Sequence, residues 1–137
     1  MILPTEIKYY LQHKMFKVST TSLGAGIKSI TYNDKNLLVP QAITNPPGNN
    51  RYAKKVGGGI GIISPIFTGD VKNRNKGLFA PVPNFGDVRL NIWKLDHSND
   101  TSCTYSYRYM RHGAHLYFHV SYTLVDDELK IDIQVTN

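Results

Sequence analysis

Disulfides, long apolar runs and blocks of like charge are all missing from this chain. It holds a single cysteine, Cys103, among 137 residues, which excludes an internal disulfide framework. No window approaches the ~20 apolar residues that a membrane helix needs. The first ten residues carry Glu6 and Lys8 in a mixed stretch, without the apolar core of a signal peptide. A reduced, cytoplasmic setting with no membrane partner is the expectation. Helical stripes are lacking too: no stretch repeats its apolar residues every 3.6 positions between caps, so little helix is expected. Charged residues make up 19% and hydrophobic ones 41%, a balance that excludes a disordered chain.

Tyrosine is plentiful: nine residues, beside five Phe and one Trp. Its amphipathic ring suits a half-buried sheet face or a polar ligand surface. The net charge of +6 comes from basic residues at Lys54–Lys55, at Lys72, Arg74 and Lys76, and scattered along strands. No basic run or recognition helix results, so nucleic acid is not the expected partner. A weak preference for anions, including a phosphate on a substrate, stays open.

Strand signals open and close the chain. Met15 to Thr20 alternates, Leu23–Gly24–Ala25–Gly26 breaks the pattern, and Ile27 to Tyr32 resumes it. Asn33 to Asn36 then reads as a turn before a strand at Leu37–Leu38–Val39. From Pro40 to Asn91 lie six of the seven prolines and eight of the eleven glycines, which excludes regular helix and most strand. The run Gly59 to Pro65 is the exception, a candidate buried strand. After Asn91, strands through Ile92–Leu95, Thr101–Met110, Leu116–Leu124 and Leu129–Val135 are joined by short polar turns, forming a meander. The chain stops directly after the last of these. An uncovered sheet edge there leads to the expectation that the natural domain, a single β-sandwich over residues 1–137, continues past Asn137.

Several constellations fail as chemistry. Gly57–Gly58–Gly59–Ile60–Gly61 lacks the spacing of a phosphate loop, because Ile62 stands where a third glycine is needed. His112, His115 and His119 would bind metal on a helix, but in a strand His115 and His119 share a face with Tyr117 between them. Asp126–Asp127–Glu128 tips a hairpin and cannot form a facing carboxylate pair. Cys103 reads as a small strand residue, not a nucleophile.

Three ordered segments carry a resemblance instead. Gly58 to Pro65 resembles a "GGIP-xx-FP" segment, Gly69 to Gly77 resembles "GRVANRIAKG", and Phe85 to Trp93 resembles "HGFARxxxW". The flanks agree, from Val18 to Pro40 and from Tyr122 to Asn137. Together these resemble the galactose mutarotase-like superfamily, which includes aldose 1-epimerases and hexose-6-phosphate epimerases. The resemblance implies an all-β fold: an antiparallel β-sandwich, the galactose mutarotase-like supersandwich, of which this chain is the N-terminal half. It implies a small-molecule ligand, a sugar or sugar phosphate, and no cofactor or metal.

By position, the resemblance makes Asn73 and Arg74 the substrate-contacting pair and adds Phe85, Arg89 and Trp93 as further substrate-binding residues. Trp93 reads equally well as a core residue. Mutarotation needs a base for the anomeric hydroxyl and an acid for the ring oxygen, both within hydrogen-bond reach. The family's early histidine position holds Phe85, which can stack on a sugar but cannot move a proton. Asp70 replaces an arginine of the second motif, and the family's later histidine and glutamate would lie past Asn137. No catalytic residue is therefore assigned. The leading expectation is an aldose 1-epimerase-like isomerase fragment, inactive alone. A non-catalytic carbohydrate-binding sandwich is the alternative, and an anion- or nucleic-acid-binding β domain the third. Association with a second copy of the chain stays open.

Overall fold

The computed structural model describes residues 5–38, 42–44, 54–56, 60, 88, 91–111 and 114–137. Among them there is no α-helix. Among the described residues, ten strands run in chain order: β1 (Lys8–His13), β2 (Phe16–Thr21), β3 (Ile27–Tyr32), β4 (Lys35–Asn36), β5 (Ala42–Thr44), β6 (Lys54–Val56), β7 (Lys94–Ser98), β8 (Ser102–Arg111), β9 (Ala114–Val125) and β10 (Glu128–Thr136). They form two four-stranded antiparallel sheets, ordered β1-β2-β3-β4 and β10-β9-β8-β7, while β5 and β6 pair separately. This is the all-β sandwich that the alternating sequence leads one to expect.

The first sheet follows from period-2 alternation. β2 turns Phe16, Val18 and Thr20 into the core and leaves Lys17 exposed and Ser19 half-buried on the other face. β1 goes unrecognised in the sequence because it buries one side chain fully, Leu11, amid tyrosines and polar residues. Between β3 and β4 the structure differs from expectation. Asn33 and Asp34 alone make the turn, with φ of 49° and 61°, and Lys35 already pairs with Tyr32 and Asn36 with Thr31. Two consecutive left-handed residues suffice to reverse the chain, and Asn and Asp adopt that conformation readily. Leu37 and Leu38 then form a bend, with the Leu37 amide still donating to the Ile30 carbonyl of β3 at 2.8 Å.

The second sheet is the expected meander. β8 pairs with β9 from Ser102↔Thr123 to Arg111↔Ala114 without interruption. Asn99 builds the β7–β8 turn: its side-chain oxygen accepts the amides of Thr101 (3.0 Å) and Ser102 (2.8 Å). A side-chain oxygen that captures nearby amides in this way stands in for a backbone turn.

The core lies between the sheets. Leu11, Phe16, Val18, Ile27 and Ile30 face Trp93, Cys103, Tyr105, Tyr109, Phe118, Val120, Tyr122 and Leu124. Buried hydroxyls need partners, and Tyr105 and Tyr122 find theirs across the sandwich. Tyr105 and Thr20 hydroxyls lie 2.7 Å apart, and the Tyr122 hydroxyl donates to the Ala25 carbonyl. Burial holds the Cys103 thiol up at about 11 and the Tyr105 phenol at about 12, against the weaker lowering by Thr20. Cys103 is a packed core residue, as its strand setting suggested.

Candidate functional site

Four of the five sequence-derived binding residues, Asn73, Arg74, Phe85 and Arg89, lie outside the described residues. What the structure describes is how the segment containing them is tied at its ends. At the entry, Ile60 bridges β3: each of Ile27 and Ile60 donates its amide to the other's carbonyl at 2.9 Å. Gly26 stands beside this bridge, where a Cβ would come within 3.1 Å of the Ile60 carbonyl oxygen. That close approach gives a reason for the glycine. At the exit, Val88 is buried and its carbonyl accepts the Trp93 indole N–H at 2.9 Å.

A second tie secures the exit. Gly24 donates to Asn91 at 2.8 Å and Trp93 donates to Ser22 at 2.7 Å, so the connection of β2 to β3 grips the entry to β7. Gly24 and Ala25 both take left-handed backbone, at φ 67° and 49°, in the connection that returns the chain from β2 to its sheet neighbour β3. The break read at Leu23–Gly24–Ala25–Gly26 is thus the joint between the two sheets.

Trp93, the fifth residue, is 1% exposed. Its ring stacks on Tyr107 with centroids 5.5 Å apart and leans on Phe118 at 5.6 Å. It fills the core and fixes Val88, the residue just before Arg89. Of the two readings the sequence allows for Trp93, its surroundings are those of a core residue.

Two described surfaces carry polar groups able to meet a ligand. An open groove of about 640 Å³ runs over the outer face of the first sheet, lined by Tyr10, Gln12, Lys17, Ser19, Ser29, Thr31 and Asp100 among others. Register explains the cluster: Tyr10 pairs with Ser19, Gln12 with Lys17, and Ser19 with Ser29, so all share one face. Ser19 and Ser29 hydroxyls are 2.6 Å apart, and the Tyr10 ring is 66% exposed. One aromatic face beside hydroxyl, amide and charged groups can meet a polar ligand. Sequence reading missed this group because it depends on β1.

The second surface is the outer face of β8, β9 and β10, where Thr104, His119, Ser121, Asp132 and Gln134 line a shallow cavity of about 280 Å³. Nearby the Arg108 guanidinium sits 4.6 Å from the Tyr117 ring centroid and its Nη2 meets the Tyr117 hydroxyl. His115 and His119 do share this face with Tyr117 between them. No group of three His, Cys, Asp or Glu side chains suited to a metal occurs among the described residues.

Glu6 is the one described carboxylate with a clear electrostatic setting. Partial burial opposes its ionisation, but the Thr21 hydroxyl and Lys28 ammonium, 2.9 Å away, outweigh it and hold the group below the usual carboxylate range. A carboxylate engaged in this way is a poor proton acceptor, so Glu6 serves the fold.

With this geometry in hand, the sandwich can be compared with solved proteins. A galactose mutarotase-related enzyme from Lactobacillus acidophilus superposes on 94% of the chain with a TM-score of 0.70 at 18% identity. A galactose mutarotase-like protein from Lactobacillus casei covers 96% with a TM-score of 0.71 at 17% identity. The chain has the galactose mutarotase-like fold. An aldose epimerase homologue from C. elegans agrees at a TM-score of 0.61, 15% identity and 96% coverage. The chain spans less than half of these proteins' own lengths: 43%, 44% and 46%. No protein-family model and no curated protein sequence matches the chain. Among the described residues, no helix is long and apolar enough to cross a membrane.

Proposed function

We propose that this chain is a sugar-handling part of an aldose 1-epimerase-like protein, binding an aldose or aldose phosphate without interconverting its anomers by itself. The observation that carries the reading is the mutarotase-like sandwich at a TM-score of 0.70 over 94% of the chain. The ordered motifs that contain Asn73, Arg74 and Arg89 support it. In this reading Asn73, Arg74 and Arg89 hydrogen-bond sugar hydroxyls or phosphate, and Phe85 stacks on the apolar face of the ring. Trp93 contributes from behind, by packing the strand entry that follows Arg89. A single buried thiol fits a reduced, cytoplasmic setting.

Anomer interconversion requires a proton acceptor and a proton donor near the bound sugar. Phe85 supplies neither, and the chain spans under half of its structural neighbours. A non-catalytic carbohydrate-binding sandwich is the second reading, favoured by the same Phe85. Amide chemical-shift titration of the labelled chain with glucose, galactose and their 6-phosphates tests both. Saturable shifts that vanish in Arg74→Ala are expected. No response to any of the four sugars, with the fold intact, would remove the proposal.

A further inference from the structure

The two faces of the first sheet differ in kind. Inward, its strands bury Leu11, Val18 and Ile30. Outward, the same strands line up two cross-strand rows. Tyr10 pairs with Ser19 and Ser19 with Ser29, while Gln12 pairs with Lys17 and Lys17 with Thr31. A sheet face that packs on another layer is apolar, as the inward one is, whereas each of these six side chains carries a polar group. The outward face has the chemistry of a surface for water or a polar ligand.

The groove over these rows has a built wall. Asp100 comes from the β7–β8 turn, yet it lines the groove together with β1 to β3. Its carbonyl accepts the Gln12 amide at 2.8 Å, and the neighbouring Asn99 carbonyl accepts the Tyr9 hydroxyl at 3.0 Å. Those two bonds hold the turn against the edge of β1. Toward the β3–β4 turn, a smaller cavity of about 170 Å³ lined by Asn33 and Asp34 shares Gln12 and Lys17 with the groove. The depression therefore continues beyond its main part, whose volume of about 640 Å³ already lies in the range of small-molecule sites.

We propose that this groove binds a neutral carbohydrate, a short linear oligosaccharide. Its charges are of both signs: Lys17 and Asp100 line it, and Asp34 stands 4.0 Å from the Lys17 ammonium. An anion would be repelled by the carboxylates and a cation by the lysine. A sugar hydroxyl serves both, donating to a carboxylate and accepting from an ammonium. The Ser19 and Ser29 hydroxyls, 2.6 Å apart, share one hydrogen between them and leave the other for a third group. Beside them the Tyr10 ring, 66% exposed, offers a flat apolar surface on which the C–H face of a pyranose can stack. The length of the depression, from Asp100 past Lys17 to Asp34, favours an oligosaccharide over a single ring. This site is assembled from β1 to β3 and two turns, and does not rest on the sugar-handling reading of Asn73, Arg74 and Arg89.

Amide chemical-shift titration of the labelled full chain with maltotriose and with cellotriose tests it. Saturable shifts at Tyr10, Gln12, Ser19 and Ser29 are expected with at least one of the two, retained in Arg74→Ala and indifferent to added salt. Tyr10→Ala, at an exposed position, should weaken them about tenfold while the β8–β9 amides stay in place, and Tyr10→Phe should keep them. The double variant S19A/S29A, which touches no ring, should weaken them too. No response at these four amides to either trisaccharide would overturn the proposal, as would shifts unaltered in both Tyr10→Ala and S19A/S29A. Shifts lost in Arg74→Ala would also overturn it, by assigning the sugar to Arg74, and an affinity that falls steeply with salt would do so by showing a charged occupant.

Discussion

β9 and β10 lie side by side, nearly equal in their alternation and opposite in their surroundings. Phe118, Val120 and Tyr122 are locked under the first sheet, while Val135, Ile133 and Ile131 continue the same face without cover. An apolar alternation therefore says which face of a strand points inward but not whether anything lies there. The second layer decides that, and it comes from residues over 80 positions away: Thr20 meets Tyr105, and Ala25 meets Tyr122. Burial is a property of the pair of sheets. The buried part of the sandwich is the block from β1–β3 to β8–β9, and Ile60 and Val88, at the ends of the segment bearing Asn73, Arg74, Phe85 and Arg89, are bonded to it through Ile27 and Trp93.

The sharpest way to break the comparison is to truncate across it. Phe118→Ala removes a buried ring that also supports Trp93, and should cost about 3–5 kcal/mol in urea unfolding. Val135→Ala, at the residue paired with Phe118, should cost no more than about 1 kcal/mol. Similar losses at both would mean that β10 is covered. Next comes the polar tie between the layers. Tyr122→Phe keeps the ring but leaves the Ala25 carbonyl without its donor, for an expected loss of about 1–3 kcal/mol by the same measurement. On the outward face of β9 a smaller effect is expected: Tyr117→Ala forfeits the stacked Arg108 for about 0.5–1 kcal/mol.

The last effect is present at neutral pH and fades in acid. Glu6 has its folded pKa below its unfolded one, so the stability it adds is present above the ordinary carboxylate range. That stability is lost as pH falls through the depressed folded value. Glu6→Gln should therefore lower stability at neutral pH and flatten the part of the pH profile below about 4.5. Parallel acid profiles for the two proteins would contradict the assignment.

Much of this fold was legible because side-chain alternation and turn chemistry are local. The meander from β7 to β10 followed from polar turns at Asn99 and Asp126, and the β2–β3 pair from Phe16 to Tyr32. β1 was not legible, because one buried leucine among tyrosines gives no period to read. Its absence hid the groove of Tyr10, Gln12, Lys17 and Ser19, which exists through cross-strand register. The strand expected at Leu37 was displaced because the Asn33–Asp34 turn closes two residues sooner. The binding residues were named by motif order alone, and of these the described structure reaches only Trp93. Its indole bond to Val88, which makes it a structural support, depends on a fold contact that no motif encodes.

The central claim, a mutarotase-like half that holds a sugar but does not turn it over, is tested most directly by two-dimensional exchange NMR of galactose anomers with the isolated chain. The account predicts saturation transfer from protein to sugar, abolished by Arg74→Ala, with α and β anomers exchanging at the rate seen in buffer alone. Exchange accelerated by the wild-type chain and lost in Arg74→Ala would contradict it, and would require a proton donor and acceptor within these 137 residues.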